Sequence, residues 1–286
     1  MRYFIPLFLI MIAFPHNTLA QLVVIYPNVN GIGKELFGYS ALKLALQNSG
    51  VDYELHVSKI KVNDQRIRRM IADREVSISD FGTSTEAEQE FLPIYFPIDL
   101  GLNGWRIFAI HKDNQSRFTN ITTIEALRAM TAGQGLGWSD VKILEHAGLT
   151  VFEGSHISNL FAMTEFKRFD YFPLSANATH RLLDIYQKKI PNVVVESNIL
   201  LIYPFGRLFF VHKDNRALHD AVKTGLAKAF ESGEYWRLFK AHKSNQGLFT
   251  KANLKSRTQI FIENPHMTKE FKGIPKKYFF NLNMLD

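Results

Sequence analysis

One stretch of this chain occurs twice. Arg106-Ile107-Phe108-Ala109-Ile110-His111-Lys112-Asp113-Asn114 returns 101 positions later as Arg207-Leu208-Phe209-Phe210-Val211-His212-Lys213-Asp214-Asn215. A glycine stands before each copy (Gly104, Gly206), and each copy ends in a polar Lys-Asp-Asn turn signal. Between Arg and His the residues are apolar and mostly β-branched or aromatic, the pattern of a buried strand that emerges at a turn. Two such strands about ninety residues apart predict one module inserted between two parts of another. The chain leaves the first lobe at copy one and returns at copy two, and the copies are expected as neighbouring crossings beside a groove.

The flanking periodicity is α/β. Leu22–Tyr26 reads as a strand, Phe37, Leu42, Ala45 and Leu46 as one face of a helix closed by Gly50, and Tyr53–Val57 as a second strand. A helix from about Asp64 to Arg74 and a strand Val76–Phe81 follow, running into the loop Gly82-Thr83-Ser84-Thr85. A β-α-β-α-β order implies parallel strands covered by helices, and ligands of such sheets sit at the carboxyl ends of the strands. In the inserted module, Thr122-Thr123-Ile124-Glu125 is a capping box whose helix is expected to close at Gly133. Ser139 reads as the N-cap of a helix carrying Ile143, Leu144 and Ala147. Ala217–Phe230 is an amphipathic helix of the first lobe, and the tail after Pro265 is expected to strap along that lobe.

Residues 1–20 combine Arg2, an apolar run from Tyr3 to Phe14 and the small-residue site Thr18-Leu19-Ala20, the pattern of a secretory leader cleaved before Gln21. The chain has no cysteine, which excludes disulfides, thiolate catalysis, cysteine–zinc sites and lipoprotein anchoring. The 34 basic and 27 acidic residues, less Arg2 of the leader, leave the mature chain at +6. These charges are scattered and no nucleic-acid motif accompanies them, so a solvated surface is expected and nucleic-acid binding is not. His-x-x-x-His and Gly-x-Ser-x-Gly are absent, and Gly133-Gln134-Gly135-Leu136-Gly137 lacks dinucleotide spacing. No metal or cofactor is expected.

Several segments, in order along the mature chain, resemble the bacterial extracytoplasmic solute-binding proteins of the amino-acid-binding type (family 3). They are Leu92-Pro93-Ile94 with Gly101–Arg106, Gly133-Gln134-Gly135 with Trp138-Ser139-Asp140, Arg168–Pro173, Tyr203-Pro204 with Phe209–Val211, and Arg257 with Asn264-Pro265. The match is closest to a branch of transporter substrate-binding-domain proteins. The resemblance implies an α/β, two-lobed periplasmic type II fold with two crossing strands and lobe 2 inserted in lobe 1. On that reading residues 1–20 are the leader, 21–106 and 205–286 form lobe 1, and 107–204 form lobe 2. Two positions depart from the pattern. Thr85–Glu90 is acidic where better-known amino-acid binders carry a carboxylate-clamping Arg, and Leu174 stands where this branch commonly has a basic residue.

Nine residues form the candidate site: Tyr26, Phe81, Thr83, Ser84, Arg106, Trp138, Asp140, Asp170 and Phe172. The planar fork of Arg106 suits a ligand carboxylate; an interlobe ion pair with Asp99 or Asp170 uses the same chemistry. Asp140, at a helix start, either meets a ligand ammonium beside Trp138 or complements the helix dipole. Asp170 either meets an amine or accepts loop N–H bonds. Tyr26, Phe81 and Phe172 either wall the ligand or belong to the core.

The expected protein is a monomeric periplasmic binder that captures a small polar solute, amino-acid-like or an organic acid or amine, in an interlobe cleft. It works without catalysis, with a membrane permease or a membrane sensor as partner. A sensory or accessory role without an importer stays open. So does an exported lyase or hydrolase on the same fold, using Asp140 or Asp170 as acid or base.

Overall fold

A computed structural model describes residues 21–62 and 64–285; the leader read over residues 1–20 lies outside them. The first part of the chain forms β1 (Leu22–Val29), α1 (Phe37–Ser49), β2 (Tyr53–Val62), α2 (Asp64–Ala72), β3 (Ile78–Gly82), α3 (Thr85–Glu90) and β4 (Leu92–Ile94). The middle part holds β5 (Trp105–His111), α4 (Gln115–Phe118), α5 (Ile124–Arg128), β6 (Thr131–Gly135), α6 (Ser139–His146), β7 (Thr150–Gly154), α7 (Ile157–Glu165), β8 (Phe172–Ser175), α8 (Thr179–Tyr186) and β9 (Val193–Val195). The last part holds β10 (Ile199–Ile202), β11 (Arg207–Val211), α9 (Arg216–Glu231), α10 (Glu234–Ala241), α11 (Gln246–Thr250), β12 (Thr258–Phe261) and α12 (Lys269–Lys272).

The two lobes repeat one strand order. In the first, β1 pairs in parallel with β2, and β11 pairs antiparallel with both β3 and β4. Ser77 N–H donates to Ile25 O at 2.8 Å, joining the β1 and β3 sides. The order is β2-β1-β3-β11-β4. In the second lobe β6 pairs in parallel with β7, and a bridge from Ala132 to Tyr171 leads to β8. β5 pairs antiparallel with β8 and β9, so the order is β7-β6-β8-β5-β9. The two copies of the repeated stretch, β5 and β11, thus hold the same antiparallel position in their own sheets. With neighbours on both sides, almost every residue of each strand is buried, which is why the two stretches read alike.

This corrects one expectation: the copies are not themselves the crossings but lie inside separate sheets. The crossings are the residues just before them, 97–104 and 202–206. Tyr203 N–H donates to Gly104 O at 2.9 Å, and Ile98 N–H to Arg207 O at 2.9 Å. A Cβ on Gly104 would stand 2.0 Å from Tyr203 O, so only glycine lets the two backbones pass this closely. The buried Asp99 carboxylate fastens the junction, accepting Asn103 N–H at 2.6 Å and Arg207 N–H at 3.0 Å. Burial raises its pKa, against the pull of those N–H groups and the Arg207 charge.

Helix packing sets the first lobe's core. α1 buries Ala41, Leu42, Ala45 and Leu46 and ends at Gly50, whose φ is +83°. α9 buries Leu218, Val222 and Leu226. The helices touch at the backbone, since a Cβ on Gly225 would lie 1.7 Å from Ala45 O.

Three further expectations shift. Gly133 does not close a helix but sits inside β6 beneath the Phe169 ring, where a Cβ would fall 2.2 Å from ring carbon. The N-cap of α6 is Trp138 rather than Ser139, with no side-chain cap bond. β12, placed with the first lobe from the sequence, pairs in parallel with β10, which pairs with the start of β5. Beyond it the tail returns to the crossing, where Phe280 N–H donates to Leu100 O at 2.7 Å. No helix among the described residues is long and apolar enough to cross a membrane.

Candidate functional site

Strand direction decides where a site lies. β5 and β11 run against their neighbours, so their first residues stand at the carboxyl ends of β8 and β3: Arg106 opposite Ser175, and Arg207 opposite Gly82. Both repeat arginines therefore emerge at the loop-bearing edge of their sheets. The two edges approach one another. Lys142 of α6, which follows β6, meets Glu86 of α3, which follows β3, with Nζ and Oε1 2.9 Å apart.

Each arginine is gripped by one aspartate and one tyrosine completes the group. In the second lobe Arg106 Nε donates to the Tyr203 hydroxyl at 2.8 Å and its Nη2 donates to Asp140 Oδ1. Tyr203 donates to the same Asp140 oxygen at 2.5 Å. Arg106 is 3% exposed and Asp140 4%, so the pair is sealed. Burial opposes the Arg106 cation, but the Asp140 carboxylate and Tyr203 outweigh it and the guanidinium pKa is raised. Asp140 also lies in the first turn of α6, where the helix dipole favours a carboxylate.

In the first lobe Arg207 Nε donates to Asp80 Oδ2 at 2.9 Å and its Nη2 to Asp80 O at 2.7 Å. The Tyr26 hydroxyl donates to Asp80 Oδ1 at 2.5 Å. The start of α1 lies against this carboxylate, because a Cβ on Gly38 would stand 1.9 Å from Asp80 Oδ1. Asp80 is buried, yet 39% of the Arg207 side chain is accessible. That difference separates the clusters: the Arg106 side chain is enclosed, whereas the Arg207 side chain is partly accessible.

The remaining sequence candidates divide. The Thr83 hydroxyl donates to Glu88, and Thr83 N–H donates to Gly206 O at 3.0 Å, holding this loop on the second crossing. Ser84 caps α3, accepting Ala87 N–H at 3.2 Å. Phe81 stacks on Phe210 with centroids 4.3 Å apart, and the Arg68 guanidinium lies 5.2 Å from its ring centre. Trp138 stacks near Phe172 at 6.5 Å, and Phe172 is fully buried with Phe161 and Phe169. Phe172 is core of the second lobe, not a cleft wall.

Asp170 takes the second of its two readings, accepting loop N–H bonds, and so leaves the candidate ligand set. It precedes β8 and accepts Thr131 N–H at 2.8 Å at the start of β6, with Arg117 as its ion pair. It thus sits at the edge of the sheet opposite Gly135 and the α6 loop.

Arg106 and Asp140 are brought together, though as partners of each other rather than as separate ligand contacts. Asp80, Arg207 and Tyr203 were missed. Arg207 is the repeat mate of Arg106, and Asp80 is the one ionisable residue of an otherwise apolar and serine-bearing strand; both signals were present. Tyr203 had none. Among the described residues no group of three or more His, Cys, Asp or Glu is placed to hold a metal.

The sequence matches no protein-family model and no curated protein. Solved structures do match. A mutant of ArgBP from T. maritima superposes with a TM-score of 0.53 at 16% identity, covering 78% of this chain and 95% of that one. A histidine kinase sensor domain with similarity to periplasmic binding proteins gives 0.55 at 11%, over 78% and 96%. An ancestral amino-acid-binding protein, described as a precursor of cyclohexadienyl dehydratase, gives 0.55 at 15%, over 77% and 94%. With two crossings, a second lobe set into the first and matched five-strand orders, this chain has the two-lobed type II fold of the periplasmic binding proteins.

Proposed function

We propose that this chain is an extracytoplasmic solute-binding protein that closes its lobes on a small polar, amino-acid-like solute and presents it to a membrane permease. The carrying observation is the pair of Arg–Asp–Tyr clusters at facing sheet edges, with the crossings at residues 97–104 and 202–206 between them. Both guanidinium charges are balanced by their own aspartates, so the cleft suits a solute of low net charge, such as a zwitterion, better than a strong anion. Within this reading Arg207 with the Thr83–Ser84 loop takes the solute carboxylate, since Arg207 is the accessible one of the two. Arg106 and Asp140 instead hold the second lobe's edge rigid. Closure is a hinge motion about residues 97–104 and 202–206, biased by contacts made only in the shut state.

Structural neighbours named as an ancestral arginine-binding protein and an ancestral amino-acid-binding protein support the solute class. The leader read in residues 1–20 supports export.

The test is a thermal-shift screen of the mature chain against amino acids, short peptides, organic acids and amines, with calorimetry on hits. A single zwitterionic class should stabilise the chain, and Arg207→Met should weaken it at least ten-fold. Unchanged affinity in that variant refutes the site. Mass spectrometry of the solute after incubation should find it unaltered; turnover would replace binding with the lyase or hydrolase reading. Co-purification with a membrane kinase rather than a permease would favour sensing.

A further inference from the structure

We infer that a second binding site lies behind the crossing, on the side of the C-terminal tail, and that it takes a small single-tailed carboxylate. A cavity of about 490 Å³ opens there, within the range that holds small organic ligands. Its lining includes the crossings, Gly101 from the first and Tyr203 and Phe205 from the second, with Trp105 at the start of β5. The tail supplies the facing wall through Met267 and Phe279. Phe261 stands at the rim with 66% of its surface exposed, a large apolar side chain left uncovered at the mouth of an apolar hole.

Charge selects the occupant. Every residue around the cavity is apolar, aromatic or glycine except two, Lys272 and Lys276. Among the described residues no carboxylate lines it. Both lysines are exposed, and neither is within ion-pair distance of an acid among the described residues, whereas the adjacent Lys277 meets Glu231. An apolar hole with two unpaired ammonium groups fits a ligand with an apolar body and one anionic head. The cavity buries the body, contributing about 0.8 kcal/mol per CH₂ enclosed, and the head stays at the mouth near the lysines, where pairing is modest and salt-sensitive.

Binding here also touches the cleft. Tyr203 forms part of the lining, and its hydroxyl end is bonded to Arg106 and Asp140. An occupant leans on the segment that must flex when the lobes close.

The experiment compares octanoate, octanol and octylamine on the full mature chain by calorimetry. Saturable one-to-one binding of octanoate is expected. Octanol should bind on the order of ten-fold more weakly, octylamine more weakly still, and octanoate alone should lose affinity as salt rises. A Lys272→Gln/Lys276→Gln double variant, altered only at exposed positions, should bring octanoate down to the octanol value and keep its melting temperature. Met267→Trp, filling the cavity, should abolish octanoate binding without lowering the melting temperature. Equal binding of octanoate and octanol, or full affinity in the double lysine variant, overturns the assignment. So does adsorption to phosphatidylglycerol vesicles without saturable octanoate binding, which would make the patch a membrane contact.

Discussion

Replacing Arg106 by Met tests the enclosed cluster directly. The side chain is 3% exposed and its Nη2 and Nε engage Asp140 and Tyr203. Met keeps most of the volume and removes the charge, leaving the Asp140 carboxylate buried with one hydroxyl partner. Breaking a buried ion pair by deleting one member costs about 3–5 kcal/mol, a large share of the ~5–15 kcal/mol that holds a folded chain together. With a urea slope of ~2–3 kcal/mol per molar, the midpoint should fall by about 1–2.5 M, read by tryptophan fluorescence. Removing both charges with Arg106→Met/Asp140→Leu should recover most of that loss, because the desolvation cost of each ion disappears with its partner. A single variant that loses less than ~1 kcal/mol, or a double variant that loses the sum of the two singles, refutes the claim that the pair is sealed and coupled.

Three further outcomes follow from the same geometry. Gly104→Ala forces a Cβ to 2.0 Å from Tyr203 O and should cost ~3 kcal/mol or more. By contrast Gly50→Ala meets no atom within 4 Å and bears only its φ of +83°, for about 1 kcal/mol; both are read from urea midpoints. The Glu86 carboxyl is held at about 2 by the Lys142 ammonium, its own backbone N–H and Ser84. Its lowered pKa means the bridge contributes fully above ~4.5 and fades as pH falls toward 2. Lys142→Ala should therefore cost the same at pH 5 and pH 8, and no more than ~1 kcal/mol since both side chains are 61% accessible. Asp170→Asn should leave solute affinity within about two-fold by calorimetry, because Asp170 stands at the sheet edge away from the cleft; a ten-fold loss would return it to the site.

The duplicated stretch carried more information than its first reading extracted. It announces two lobes because an antiparallel strand flanked on both sides must be apolar along its length, and each lobe needs one. It does not announce that the strands pair with each other, since identical burial arises in separate sheets. Phe81 and Phe172 show the same limit: an aromatic at a strand end looks alike whether it faces a cleft or stacks on Phe210 or beneath Trp138. Gly133 read as the stop of a helix, yet it makes room for the Phe169 ring, as Gly135 does for Trp138.

The order of strands and helices, the duplication and the presence of arginines at two strand starts are local properties, written in hydrophobic period and turn residues. Which acid each arginine meets is not local. Arg106 finds Asp140 across 34 positions and Arg207 finds Asp80 across 127, and neither spacing has a period that a sequence displays. Only the folded sheets, by setting strand direction and bringing β3 beside β11 and the start of α6 over β5, choose those partners. That choice encloses one arginine and leaves the other at the open edge.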